Sequence, residues 1–545
     1  MSIIKKAGQG FSLVFLVVFF MTANAGGKEM NQPNSEISKP IKITSGLITG
    51  QAVEKMEDIQ AFKGIPYAAP PVGSLRWKAP QPALPWEGIR ACTQYGTTCP
   101  QRKLPPPFDR DYGKTSEDCL TLNIWSGAKN PDERRPVMVW IHGGGFYGGT
   151  ASQPDFDGRV LARAGVVAVT INYRLGVFGF LAHPELTGES EHQVSGNYGL
   201  LDQIAALRWV RDNIAAFGGD PNRVTIFGES GGARSVCFLM ISPLARGLFH
   251  RAIVQSGSLY RGIGHLKKSH DGLPPMEKEG VRIAKQLGCN TLQELRRKKA
   301  EEIFQTLNAT TAPLLAPPGV LTIPDGVFIS GPVIDGWAVP EDPVKRYENG
   351  QQADVPLITG SNQDEASLFL RAFQTWGKTL ASSVAHFFPG HEKEILKLYA
   401  EYQESEFTTA LNRLATDVVW TRPARATART MEKVSSKAYL YQFTHRRPGS
   451  LYNFGAFHGA EIRFAFGHDI GANNPFTEID RRISKTMRTY WLNFAATGNP
   501  NGPGLPEWPA YEKSTDQSLE IGIELKIQTH LRKEACDLFD KIDKR

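Results

Sequence analysis
One short stretch constrains the fold of this chain more than any other. Arg223-Val-Thr-Ile-Phe227 is a β-branched, apolar run that passes without a spacer into Gly228-Glu229-Ser230-Gly231-Gly232-Ala233-Arg234-Ser235. It reads as strand, tight turn, helix. A serine between glycines at such a turn is the G-x-S-x-G elbow: glycine tolerates the strained backbone, and the hydroxyl is pushed out at the end of the sheet. A helix starting behind Ser230 also turns the positive end of its dipole toward any anion formed beside that hydroxyl. Taken alone, the pattern fits a Gly-rich turn or an anion-binding helix start equally well. The flanking strand and helix favour a nucleophile.

The rest of the chain supplies the setting. Apolar or β-branched runs at Val137 to Ile141, Val166 to Ile171, Val224 to Phe227, Ala252 to Gln255, Val355 to Thr359 and Ala438 to Phe443 alternate with segments of helical period such as Leu201 to Ile214. This alternation predicts an α/β fold with a large, mostly parallel central sheet covered by helices. No linker interrupts it, so residues 40–545 are expected to form one domain with long loop insertions, chiefly between about 262 and 350. Residues 26–39 read as a flexible leader. Residues 1–25 read as a secretory signal: Lys5 and Lys6, the apolar run Phe11 to Met21, then Ala23-Asn24-Ala25 with cleavage after Ala25. That run is far shorter than the roughly 20 residues that span a bilayer, so a secreted or periplasmic protein without stable membrane insertion is expected. The net charge of +7 is spread along the chain without a basic cluster, which argues against a nucleic-acid partner.

A serine hydroxyl is a weak nucleophile at neutral pH. It needs a histidine base, and the histidine needs a carboxylate to fix its tautomer. Well downstream lie His386, His391, His445, His458, His468 and His530; of these His458 stands in a small-residue loop, Gly455-Ala456-Phe457-His458-Gly459. For the acid, the predicted strand Val355 to Thr359 runs into Gly360-Ser-Asn-Gln-Asp364-Glu365, and spacing does not separate Asp364 from Glu365. Either also fits the start of a helix over Ala366 to Leu370. Val137 to Ile141 leads into His142-Gly143-Gly144-Gly145-Phe146, an HGGG-type loop whose free amides suit an oxyanion hole together with the amide of Gly231. Gly143, Gly145 and Gly148 also satisfy G-x-G-x-x-G, but no helix opens there, so a dinucleotide loop is disfavoured.

Cysteines at 92, 99, 119, 237, 289 and 536 show no C-x-x-C spacing, and no metal or cofactor is expected. Cys99 and Cys119 can close a short loop, with Cys92 as a rival partner for Cys119, while Cys237 lies in an apolar run. Asn308-Ala309-Thr310 matches the N-glycosylation acceptor.

In order along the chain come Phe62-Lys-Gly-Ile-Pro-Tyr67-Ala, Leu75-Arg76-Trp77, Glu117-Asp-Cys119-Leu-Thr-Leu-Asn123-Ile-Trp125 and Asn172-Tyr-Arg-Leu-Gly176. Gly196-Asn-Tyr-Gly-Leu-Leu-Asp202-Gln, Phe227-Gly-Glu-Ser-Gly-Gly232, Gln255-Ser-Gly257, Asp364-Glu365 and Trp491-Leu-Asn-Phe-Ala495 follow. In these motifs the chain resembles the type-B carboxylesterase/lipase family, which includes the cholinesterases, across most of residues 41–515. The resemblance implies an α/β-hydrolase fold and hydrolysis of small-molecule carboxylic esters through an acyl-enzyme. It implies Ser230 as nucleophile, Glu365 as acid and His458 as base, with Gly144, Gly145 and Gly231 as the oxyanion hole. It also implies a Cys99–Cys119 disulfide and a place for Glu229 beside the active-site gorge. Three departures stand out. The family commonly has alanine where this chain has Gly231, Cys289 lacks the nearby cysteine with which relatives often pair it, and the loop between Cys99 and Cys119 offers Phe108 and Tyr112 but no tryptophan. The last disfavours choline esters, whose ammonium such a tryptophan holds by cation–π attraction. A lipase acting on long-chain acylglycerols and a non-catalytic interaction protein are the alternatives; the intact set Ser230, Glu365 and His458 weighs against the second.

Overall fold
The computed structural model describes residues 36–101, 111–257, 263–308, 331–370, 379–447, 454–469 and 474–543. The predicted signal at residues 1–25, most of the leader and Phe108 lie outside them. Asn308 closes the helix Ala300–Asn308.

Among the described residues the strands are β1 (Ile41–Ile43), β2 (Gly46–Thr49), β3 (Gln51–Val53), β4 (Met56–Pro66), β5 (Ile89–Ala91), β6 (Thr121–Ser126) and β7 (Arg135–Ile141). They continue with β8 (Val167–Ile171), β9 (Gly219–Glu229), β10 (Arg251–Gln255), β11 (Leu357–Asn362), β12 (Ala438–Phe443), β13 (Gln517–Ile521) and β14 (Leu525–Thr529). β1, β2 and β5 make a small sheet; the others form one eleven-stranded sheet in the order β14-β13-β12-β11-β10-β9-β7-β8-β6-β4-β3. From β8 through β13 every neighbouring pair is parallel, and the pairs toward both edges are antiparallel.

The central strands read as unbroken apolar runs because both of their faces are covered. Successive side chains point to opposite faces. Val137, Val139 and Ile141 of β7 join Val167, Val169 and Ile171 of β8 and Ile226 of β9 in one core. Met138 and Trp140 of β7, Ala168 of β8 and Phe227 of β9 enter the other. Leu200, Ile204 and Leu207 of the helix Tyr198–Asn213 seal the first core. Ile483, Met487, Tyr490, Trp491 and Phe494 of the helix Glu478–Thr497 seal the second.

Motifs far apart in sequence meet in space. Arg174 makes a two-pronged ion pair with the fully buried Asp202, Nη2 to Oδ1 at 2.7 Å and Nε to Oδ2 at 2.8 Å. Arg76 grips Glu117 in the same way, at 2.5 and 2.6 Å. Removing one partner of a buried pair strands a charge, at about 3–5 kcal/mol, which explains why arginine and carboxylate occur together in these motifs. Cys99 and Cys119 are joined by a disulfide, while Cys92, Cys237, Cys289 and Cys536 are buried free thiols. Among the described residues no helix is long and apolar enough to cross a membrane.

Some element bounds differ from the sequence expectation. The strand read from Val355 starts at Leu357, since Pro356 has no N–H to give a ladder. Its carbonyl still accepts from the Ala252 amide at 3.0 Å. The helix read over Ala366 to Leu370 is a 3₁₀ segment, Glu365–Phe369, which begins at the carboxylate itself.

Candidate active site
The parallel register brings several strand ends to one edge of the sheet. Ile141 pairs with Gly228, Gln255 with Glu229, and Gln255 with Gly360. The segments that leave β7, β9 and β11 therefore meet where an open α/β sheet places its ligands, outside the carboxyl ends of its strands.

Ser230 sits between β9 and the helix Gly231–Ile241 at φ 55°, ψ −119°, a left-handed backbone that a non-glycine residue adopts at a cost. Two contacts hold it there: its amide donates to the Gln255 carbonyl at 2.9 Å, and its carbonyl accepts from the Arg234 amide at 2.9 Å. The glycine at 232 is a matter of space. A β-carbon there would fall 1.9 Å from the Ile141 carbonyl oxygen, so helix and β7 approach each other backbone to backbone.

The loop after β7 is clamped from behind. The His142 ring stacks on Tyr173, centroids 4.5 Å apart, and Tyr173 donates its hydroxyl to the His142 carbonyl at 2.8 Å. Burial lowers the His142 pKa to about 4 and keeps the ring neutral. Gly144 and Gly145 take φ values of 100° and 61°. The Gly144 carbonyl accepts from the Tyr147 and Gly148 amides, and among the described residues neither the Gly144 nor the Gly145 N–H is taken by a protein acceptor. At Gly231 a β-carbon would lie 2.9 Å from the Gly145 nitrogen. The glycine that departs from the commoner alanine thus lets this loop close onto the nucleophile helix. The amide of Gly231, first in its helix, is among those left without an intrahelical acceptor.

The two adjacent carboxylates are separated by their partners. Asp364 receives Arg446 at 2.9 and 3.0 Å and the Ala456 amide at 2.9 Å, so it ties down the loop before His458. Glu365, wholly buried, accepts from the Asn362 amide on Oε1 at 2.7 Å and meets His458 Nδ1 with Oε2 at 2.6 Å. The other imidazole nitrogen, Nε2, lies 3.1 Å from Glu229 Oε1, and Ser230 Oγ makes no hydrogen bond to it among the described residues. Burial works to lower the His458 pKa, but the charges of Glu229 and Glu365 prevail and push it up to about 9. Phe369 and Trp420, stacked on each other at 5.7 Å, both flank the ring, with centroids 5.3 and 5.2 Å from it. Trp420 is carried by a π-helical turn, Asp417–Thr421, a distortion frequent at functional sites.

Sequence reasoning missed Glu461. It is wholly buried, accepts from Asn362 Nδ2 at 2.5 Å and Gln255 Nε2 at 3.1 Å, and its pKa is raised by burial and by the charge of Glu365. The same Asn362 amide donates to the Phe457 carbonyl at 2.8 Å, so one side chain links the acid strand to the histidine loop. The only hint in the sequence was a carboxylate three residues past His458. Among the described residues no group of three or more His, Cys, Asp or Glu side chains is arranged to hold a metal ion.

Comparison with known proteins places the chain among esterases. The model of the carboxylesterase family matches residues 38–539. A para-nitrobenzyl esterase of Bacillus subtilis (strain 168) is 36% identical over 489 residues, covering 86% of this chain and 92% of that protein. Carboxylesterase 5A of Felis catus is 38% identical over 518 residues, covering 86% of this chain and 88% of that protein. Among solved structures, a thermophilic PNB esterase superposes with a TM-score of 0.77 at 32% identity, over 92% of this chain and 99% of that one.

Proposed function
The chain belongs to the carboxylesterase family, has the α/β-hydrolase fold and is a carboxylic ester hydrolase, and on that premise we propose that it works by two-step acyl transfer with Ser230 as nucleophile, His458 as base and Glu365 as the residue that orients the base. The observation that carries this reading is the 2.6 Å contact between His458 Nδ1 and the buried Glu365 carboxylate, on the same sheet edge as the strained turn of Ser230.

Glu365 holds the Nδ1 proton and leaves Nε2 to take the Ser230 proton as Oγ attacks the ester carbonyl. The carbonyl oxygen becomes an oxyanion, and the amides of Gly144, Gly145 and Gly231 donate to it, with hydrogen bonds that strengthen as charge develops. The alcohol leaves with the proton from His458; water, activated by the same ring, then cleaves the acyl-Ser230 ester. At neutral pH the imidazole is largely protonated, because its pKa stands at about 9, and it then forms an ion pair with Glu229, Nε2 to Oε1 at 3.1 Å. Catalysis requires that proton to leave and Nε2 to turn to Ser230.

A fluorophosphonate probe tests the constellation directly. One equivalent is expected to attach at Ser230 in the wild type, and His458→Ala is expected to slow attachment by about 1,000-fold or more, the scale of removing a triad base. Attachment at another serine, or an unchanged rate in His458→Ala, refutes the assignment.

Export fits the same reading. Lys5, Lys6, the apolar run and Ala23-Asn24-Ala25 form a signal pattern, and the Cys99–Cys119 disulfide suits an oxidising compartment. The exported protein is expected to begin at Gly26; an intact mass that retains residues 1–25 counts against export by this route.

A further inference from the structure
Arg234 lies one helical turn beyond Ser230, a rise of about 6 Å along the helix axis, and its amide closes the first hydrogen bond onto the Ser230 carbonyl. The side chain is partly buried. Its guanidinium carbon stands 5.7 Å from the centre of the Phe146 ring, next to Gly145 in the glycine loop, and its Nε is shut off from solvent with no hydrogen-bond partner. Among the described residues no carboxylate pairs with it. The ionisable groups that act on it are the Tyr147 phenol and the Cys237 thiol, and burial raises the latter to about 12, so it carries no charge at neutral pH.

Such a placement is unfavourable twice over and only partly offset. The first turn of a helix repels a cation. Burial lowers the pKa of the guanidinium, yet arginine stays charged in proteins. A cation–π contact with Phe146 recovers less than the cost of desolvating an unpaired charge. Among the described residues, the buried Arg174, Arg422 and Arg425 have carboxylates, Asp202 for the first, Asp540 and Asp543 for the second and Asp516 for the third, whereas Arg251 and Arg488, partly buried like Arg234, have none but lie away from the nucleophile turn. Arg234 lacks one at the point where the nucleophile helix meets the glycine loop.

We propose that Arg234 is the recognition site for a carboxylate on the substrate, so that the preferred esters are anionic ones such as half-esters of short dicarboxylic acids. This rests on the assignment of Ser230 as nucleophile and adds the substrate class to it. A planar guanidinium donates two parallel hydrogen bonds to a carboxylate, and in a partly dry site such a charge-assisted pair is strong. A flexible chain of a few methylenes between the scissile carbonyl and the carboxylate would let one ester engage both Ser230 and Arg234, which share the first turn of one helix. The carboxylate would supply the missing counter-ion and anchor the ester beneath the oxyanion loop.

The test compares p-nitrophenyl hemiglutarate with p-nitrophenyl pentanoate, which match in length and differ in charge. The wild type is expected to favour the anionic ester in kcat/KM by about 10-fold or more, and Arg234→Met to lower the anionic-to-neutral ratio by about 100-fold, the scale of removing a desolvated charge partner. A ratio that stays constant while both rates fall together overturns the proposal and leaves Arg234 as a prop for Phe146. A ratio and rates that both stay constant overturn it as well. A second measurement needs neither turnover nor the Met variant. Calorimetric binding of monomethyl glutarate and of methyl pentanoate to Ser230→Ala is expected to detect only the anion, with binding weakened by salt. Equal binding of the two, or of neither, refutes the Arg234 site even if Ser230 proves not to be the nucleophile. Selective anion binding beside an absent probe reaction supports the Arg234 site and refutes only the assignment of Ser230.

Discussion
Ser230→Ala is expected to lose turnover of p-nitrophenyl esters by about 10,000-fold or more, with a melting temperature close to that of the wild type. The size follows from the role. Removing the nucleophile of a serine triad removes the covalent route altogether, and what remains is the residual effect of the oxyanion amides and of binding. The unchanged stability follows from the structure. The left-handed turn is imposed on position 230 from outside, by the Gln255 carbonyl on one side and by the close approach of Gly232 to Ile141 on the other. A methyl side chain occupies less room than the hydroxymethyl it replaces, and the described hydrogen bonds of Ser230 are made by its backbone. Alanine therefore inherits the strain without adding to it. Steady-state assay and thermal melting on the same preparation check both halves: retained turnover removes Ser230 from the mechanism, and a collapsed melt would mean that the hydroxyl holds the elbow together.

Much of the architecture could be read from the chain because the signal was local. β7, β8, β10 and β12 are apolar runs with both faces covered, and the elbow joins strand, turn and helix within a few residues. β4 and β6 escaped. β4 mixes Glu57, Asp58, Gln60 and Lys63 with its apolar residues and carries a register irregularity between Phe62 and Ile65, which blurs the period-two pattern. The site divides in the same way. Residue types and a family resemblance pointed to Ser230, Glu365, His458 and the glycine loop, yet the residues alone left Asp364 and Glu365 tied. The resemblance chose Glu365, and their partners, Arg446 and Ala456 for one and His458 for the other, give the physical difference. Glu461 and Arg234 were illegible for a different reason. A buried charge with too many or too few partners is a property of packing, and no window of sequence contains it. The glycine at 231 was visible as a departure, but its reason, a loop 2.9 Å from where a β-carbon would stand, needed β7 and β9 side by side.

The two carboxylates on His458 should respond differently to loss of charge, and the contrast separates orientation from electrostatics. Glu365→Gln replaces the Oε2 acceptor on Nδ1 with a group that can donate as well as accept, so the ring loses both its fixed tautomer and the charge that stabilises the imidazolium. Its maximal rate is expected to fall by about 1,000- to 10,000-fold at every pH, the scale of the equivalent change in a serine triad. Glu229→Gln leaves the Nδ1 contact intact and removes only the charge near Nε2, 3.1 Å away. The sign of its effect follows from which form of the ring works. Neutral imidazole is the base, so kcat/KM should climb as pH rises through the His458 pKa, at about 9 in the wild type. Of the three carboxylates that raise it, Glu229, Glu365 and Glu461, taking away the first lowers that pKa, so the climb should move to lower pH by on the order of 1 unit or more, with the plateau within about 10-fold of wild type. Profiles of kcat/KM from pH 5 to 10 for both variants read the difference. A Glu365→Gln plateau near the wild-type value would show that His458 is oriented by something other than Glu365, and a Glu229→Gln profile that keeps the wild-type midpoint would show that the Glu229 charge does not govern the base.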